Sequence, residues 1–239
     1  MQAADVIIHK RVDRPVPAFR DRSHAGRELA RSIDVLHAGT CLVLGLPRGG
    51  IAVGEAAADK LAAPLEPVFA RKLPLPESPE MGFGAIALDG TIVLNERVVA
   101  GFGLGREEID VIARDVVAEV RRRAREYLGN EALSPVEDRH VYMIDDGLAT
   151  GYSMIAAARM IRRQKPARLI LCVPVSPASS IETVRPDFDE IHCLFAQRSG
   201  SFAVASFYAD FHEMSDDEVR AILSRARHRV SSEQTPATH

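Results

Sequence analysis

The sequence predicts an α/β fold built on a doubly wound, mainly parallel sheet, with a β-hairpin flap. Three observations predict it. Continuous apolar runs of strand length, Cys41 to Leu46, His140 to Ile144 and Arg168 to Val173, lack polar alternation, as strands buried on both faces do. Helical segments separate them, so the second half reads βαβαβ, and such crossovers are right-handed and parallel in nearly all known cases. An Asp89-Gly90 pair between the apolar stretches Ala85 to Leu88 and Thr91 to Leu94 is a two-residue hairpin signal.

Taken in order, a first helix runs from about Ser23 to Leu36, with Leu29, Ile33 and Leu36 on one face and Ser23 as its cap. The strand Cys41 to Leu46 then closes on Pro47-Arg48-Gly49-Gly50 and an Ala-rich helix, Ile51 to Ala62. Leu65 to Ala70 is a second strand, followed by Arg71, Lys72 and Pro74. Leu73 to Gly84 holds three prolines and two glycines without periodicity and is expected to be a long flexible loop, so residues 73–95 form a loop-and-hairpin insertion. From Gly105 to Leu128 a long helix lines up Ile109, Ile112, Val116 and Val120. Its acids stand at the start and Arg121, Arg122, Arg123 and Arg125 near the end, matching the helix dipole, with pairs such as Glu119 to Arg123 along its solvated end. After His140 to Ile144 come a turn, a helix from about Ser153 to Gln164, the strand Arg168 to Val173, a short helix Ser179 to Val184 and the strand Glu190 to Phe195. Ser215 caps a last helix, and Ser231 to His239 reads as a frayed tail. No repeat or linker divides the 239 residues, which are read as a single domain.

Charge and composition exclude several classes. Thirty Lys and Arg against 33 Asp and Glu is far from the basic excess of a dedicated nucleic-acid binder. No apolar run approaches the ~20 residues of a membrane helix, and the first residues lack the apolar core of a secretory signal, so a cytoplasmic location is expected. Cys41, Cys172 and Cys193 each sit in a strand-like run, which predicts buried thiols, and no histidine spacing suits zinc. Gly101 to Arg106, GFGLGR, mimics a dinucleotide fingerprint but has Arg106 at the third glycine and no crossover unit around it. No G-x-x-x-x-G-K-[ST] or G-x-S-x-G pattern occurs.

The chemistry is expected beyond the carboxyl ends of the strands. There Val141 to Ser153, VYMIDDGLATGYS, delivers Asp145 and Asp146 into a turn that opens a helix. Gly147 and Gly151 allow close backbone approach, the first helical N–H groups attract an anion, and Thr150 and Ser153 add hydroxyl donors. Carboxylates repel a phosphate, so they should face hydroxyls or positive charge. A sugar that carries a phosphate satisfies both halves of the motif. A helix cap alone accounts for one Asp, not two.

VYMIDDGLATGYS resembles the signature by which type I phosphoribosyltransferases bind 5-phosphoribosyl 1-diphosphate (PRPP): four apolar residues, two acids and a turn ending in Thr-Gly. The resemblance spans roughly Phe19 to Val219 and implies that family's fold, with a small hood over the acceptor. It implies that Asp145 and Asp146 bind the ribose hydroxyls, while Gly147, Leu148, Ala149, Thr150, Gly151, Tyr152 and Ser153 wrap the 5′-phosphate. Arg48, Gly49 and Gly50 match the diphosphate loop, and Arg71 and Lys72 the basic pair of a catalytic lid. The catalytic set it implies is Asp145, Asp146, Lys72 and Arg48. The reaction it implies is transfer of the phosphoribosyl group from PRPP to a nitrogenous base or amine, releasing pyrophosphate, with Mg²⁺ held through PRPP and water near Asp145 and Asp146. It also implies a homodimer. The alternative is a PRPP-binding regulator of the same fold that does not turn over. Ala149 stands where 6-oxopurine enzymes carry an Asp, which disfavours that acceptor class. Gln197 to Phe211 is the candidate hood, whose Phe202, Phe207 and Tyr208 either stack on a base or belong to the core.

Overall fold

A computed structural model of the chain describes residues 4–34, 40–129 and 134–233. In chain order the strands and helices are β1 (Asp5–Val12), α1 (Arg22–Ser32), β2 (Cys41–Gly45), α2 (Gly49–Leu61), β3 (Leu65–Pro67), β4 (Ala70–Leu75), β5 (Ser78–Ala87), β6 (Ile92–Leu94), α3 (Glu96–Phe102), α4 (Arg106–Leu128), β7 (His140–Ile144), α5 (Tyr152–Arg162), β8 (Arg168–Pro177), α6 (Ala178–Val184), β9 (Glu190–Gln197) and α7 (Asp216–Glu233). Six strands form one parallel sheet in the order β1-β9-β8-β7-β2-β3. β2 and all but the first residue of β7 are buried, which is why they read as unbroken apolar runs.

The order places a crevice at one end of the sheet. From β2 the chain winds outward to β3, and from β7 it winds the other way through β8 to β9. Right-handed crossovers in opposite directions put α2 and α5 on opposite faces. The direction changes between β2 and β7, so the loops after these two strands face each other across the switch point, where open α/β sheets bind ligands.

Two elements depart from expectation in ways that matter. The Leu73 to Gly84 segment is not a loop: β4 and β5 pair antiparallel, and β6 joins them in a second, three-stranded sheet. Leu73, Leu75, Phe83 and Ile86 pack with Ile109 and Ala113 of α4 in a separate core cluster. Pro74 sits where the register shifts between β4 and β5, and Pro76 falls in the tip, so neither proline interrupts a regular ladder. The Asp89-Gly90 turn does join two antiparallel strands, with Gly90 at φ +91°. β1 is the second departure. It pairs in parallel with β9 at the sheet edge, and only Val6, Ile7 and Ile8 betray it in the sequence.

Smaller corrections concern helix ends. Asp21, not Ser23, caps α1, accepting from the His24 N–H at 2.7 Å. The helix ends at Ser32, and Leu36 lies outside the described residues. Ser215 does cap α7, its hydroxyl accepting from the Glu218 N–H at 3.2 Å while Glu218 accepts from the Ser215 N–H at 2.7 Å. Of the expected tail, Ser231 to Glu233 belong to α7 and residues 234–239 lie outside the description. Cys41, Cys172 and Cys193 are buried in β2, β8 and β9, and burial pushes the Cys193 thiol up to about 12. Among the described residues no helix is long and apolar enough to cross a membrane.

Candidate active site

β7 ends at Ile144 and hands Asp145 and Asp146 to the turn that starts α5. Gly151 precedes that helix at φ +84°, where a Cβ would also lie 2.5 Å from Val184 Cγ1, so glycine is required there twice over. No side chain caps α5, which leaves its first N–H groups open toward the turn, with Ala149 and Thr150 exposed beside them. The turn is braced from behind: Leu148 N–H donates to the Val175 carbonyl at 3.0 Å, and Ser180 Oγ donates to the Ala149 carbonyl at 2.5 Å. Tyr152 packs, partly buried, against the core.

Across the crevice, the turn after β2 starts α2 at Gly49, again with no side-chain cap. The Pro47–Arg48 peptide is cis. Gly49 lies so close to the acid pair that a Cβ on it would stand 1.9 Å from Asp146 Oδ2. The structure therefore brings the PRGG turn and the acid pair together.

Each carboxylate has one oxygen engaged by the protein. Asp145 Oδ1 accepts from the Asp146 N–H at 2.8 Å, and Asp146 Oδ2 accepts from Arg22 Nε at 2.7 Å. Among the described residues Asp145 Oδ2 and Asp146 Oδ1 accept no hydrogen bond from another residue. Burial, and then the charge of Asp146, hold the Asp145 carboxyl well above its ordinary range; burial also raises Asp146, against the pull of Arg22. Tyr208 fixes the backbone of the pair, donating from its hydroxyl to the Asp146 carbonyl at 2.6 Å, and burial keeps that phenol protonated.

Other expected residues are placed differently. The Arg48 guanidinium turns to the start of α7, with Nε 3.2 Å from Asp216 Oδ1, Nη1 3.1 Å from Glu213 Oε1, and a bond to the Met214 carbonyl. Arg71 and Lys72 stand inside β4, not at the end of a core strand. Arg71 pairs with Glu119 of α4 at 3.4 Å and Lys72 donates to the Glu80 carbonyl of the same hairpin. Phe207 has no accessible surface and Tyr208 is 6% exposed, so of the two readings these residues take the core one. Phe202 is half-buried against Phe207, ring centroids 5.6 Å apart. The expected hood runs beside residues 18–20, with Ala209 N–H donating to the Phe19 carbonyl and Asp210 N–H to that of Arg20, each at 2.8 Å.

Sequence reasoning missed Arg22. One signal was available: a cation in the first turn of a helix opposes the helix dipole, so it needs a reason beyond the helix. Its partner is 124 residues away in the chain.

The geometry is that of a parallel sheet with an acid pair and two helix starts without side-chain caps at its switch point. The phosphoribosyl transferase domain model matches residues 22–211, and the chain belongs to that family. Two Mycobacterium tuberculosis proteins, from strains CDC 1551 / Oshkosh and ATCC 25618 / H37Rv, are each 40% identical over 208 residues, and their names assign them provisionally as phosphoribosyl transferases. The match covers 87% of this chain but 47% of each relative, so the chain spans about half their length. The crystal structure of TT1426 from Thermus thermophilus superposes with a TM-score of 0.71 at 33% identity, covering 87% of this chain and 98% of that one.

Proposed function

We propose that this protein transfers the 5-phosphoribosyl group from PRPP to a nitrogenous base or amine, releasing pyrophosphate. The observation that carries this reading is the pair of unengaged oxygens, Asp145 Oδ2 and Asp146 Oδ1, set directly before an uncapped helix start. Two acceptors suit two neighbouring ribose hydroxyls, and the N–H groups of Ala149 to Ser153 at the uncapped start of α5 suit the 5′-phosphate.

As the bond to diphosphate breaks, positive charge grows on the ribose and negative charge on the leaving group. The two carboxyl groups orient the ring and favour the first. The Gly49 backbone N–H and the dipole at the α2 start favour the second. Arg71 and Lys72 are exposed, and a surface ion pair such as Arg71–Glu119 costs at most about 1 kcal/mol to break, so Arg71 is free to turn toward diphosphate; Lys72 would first give up its bond to the Glu80 carbonyl. Mg²⁺ fits as a partner of the substrate: carboxylate and diphosphate oxygens are hard donors, and such an ion keeps most of its waters. When bound, it neutralises diphosphate charge. Cytoplasmic location and a homodimer belong to the same proposal, the latter checked by light scattering.

The test is pyrophosphate release from PRPP with Mg²⁺ and a panel of bases and amines. Turnover on at least one acceptor is expected. Each charge-assisted hydrogen bond is worth about 1.5–3 kcal/mol, so Asp145→Asn or Asp146→Asn should cost about tenfold or more. PRPP should also lose its protection of the double variant against heating. Tight PRPP binding without turnover on any acceptor would leave the regulator reading. Unchanged protection in the double variant would refute both.

A further inference from the structure

Arg22 is held at three points. Its Nε meets Asp146 Oδ2 at 2.7 Å, its Nη1 donates to the His212 carbonyl at 2.8 Å, and its guanidinium carbon lies 3.8 Å from the centre of the Phe211 ring. The side chain is only 11% exposed, and Asp146 beside it 16%. A Cβ on Gly49 would lie 3.0 Å from Arg22 Nε as well as 1.9 Å from Asp146 Oδ2, so the guanidinium closes the gap between the PRGG turn and the second acid. α1 gains nothing from it: Asp21 already caps the helix, and a cation there is opposed by the dipole. The placement is made by the backbone pairing of residues 18–20 with 207–210, which carries Phe211 and His212 to the start of α1.

We propose that Arg22 is a positioning residue for sugar binding: by occupying Asp146 Oδ2 it fixes the carboxylate so that Oδ1 faces the ribose, and Phe211 and the His212 carbonyl fix Arg22. The proposal rests on the phosphoribosyl reading of the acid pair. A freed carboxylate rotates about its last bond and presents either oxygen, so the second hydroxyl loses its defined acceptor.

Calorimetric titration of the full chain separates the two halves of the substrate, with ribose 5-phosphate as one probe and Mg²⁺-pyrophosphate as the other. Arg22→Gln is expected to weaken ribose 5-phosphate binding about tenfold and leave pyrophosphate binding unchanged. Arg22→Lys, which keeps a donor for Asp146, should recover part of that loss. Phe211→Leu, which removes the ring contact and spares the ion pair, should weaken only ribose 5-phosphate, by a smaller factor, and it serves as the deciding variant should Arg22→Gln fail to fold. Equal loss for both probes, or no loss for either, overturns the role of Arg22 while leaving the phosphoribosyl reading intact. If the unaltered protein binds neither probe, that reading falls and the proposal with it.

Discussion

Asp145 and Asp146 are neighbours in the chain, both raised by burial, and they differ in that Asp146 has a cation bonded to it. Asp145 is raised by burial and by its neighbour's charge, with no cation in contact, whereas Asp146 leans on Arg22. An acid whose native pKa exceeds its unfolded value holds its proton more tightly when folded. Its contribution to stability is therefore present below the ordinary value near 3.8, declines as pH rises through the raised native value, and is flat beyond. Asp145→Asn removes that decline. Its melting temperature at neutral pH should exceed that of the parent, by about 2–4 °C per kcal/mol relieved, while PRPP protection is lost. Asp146→Asn leaves Arg22 without its counter-charge in a largely buried setting and should melt lower. Differential scanning calorimetry between pH 4 and 8 distinguishes the two, and a higher melting point for Asp146→Asn than for Asp145→Asn would contradict the assignment. The acid pair was legible because its spacing is local. Arg22 was not, since its reason for being lies 124 residues along the chain.

At the scale of elements, the βαβαβ half was legible to within a few residues at each end because buried parallel strands are continuous apolar runs. The β4–β5 hairpin was not. Prolines and glycines masked a strand whose inward positions, Leu73 and Leu75, alternate as a half-buried strand requires. Phe83 of β5 is fully buried beneath α4 in that small sheet. Phe83→Ala should destabilise by about 3–5 kcal/mol, a fall in melting temperature on the order of 10 °C. Any lid movement is then restricted to the exposed tip near Glu77 to Met81, and slow amide exchange at Leu73 and Phe83 with rapid exchange at the tip would bear this out. Uniformly rapid exchange across the hairpin would restore the loop.

For the whole molecule, the doubly wound sheet was readable from the alternation of elements, and its strand order, with the direction change between β2 and β7, places the two turns that matter side by side. The far edge was not readable. β1 has exposed Asp5, His9, Lys10 and Arg11 around a three-residue apolar patch, the mixed composition of an edge strand. It precedes the family match, which starts at residue 22. Removing residues 1–12 bares the edge of β9, so the shortened chain should melt lower and self-associate, as light scattering would register. A shortened chain that stays monodisperse with an unaltered melt would show that β1 is dispensable.

The clasp of Arg48 on Glu213, Met214 and Asp216 has a mechanical side. The crevice turn and the carboxyl-terminal helix share one guanidinium, and Tyr127 of α4 grips the same Asp216. Any load that shifts α7 must either snap that joint or drag the floor of the crevice along with it.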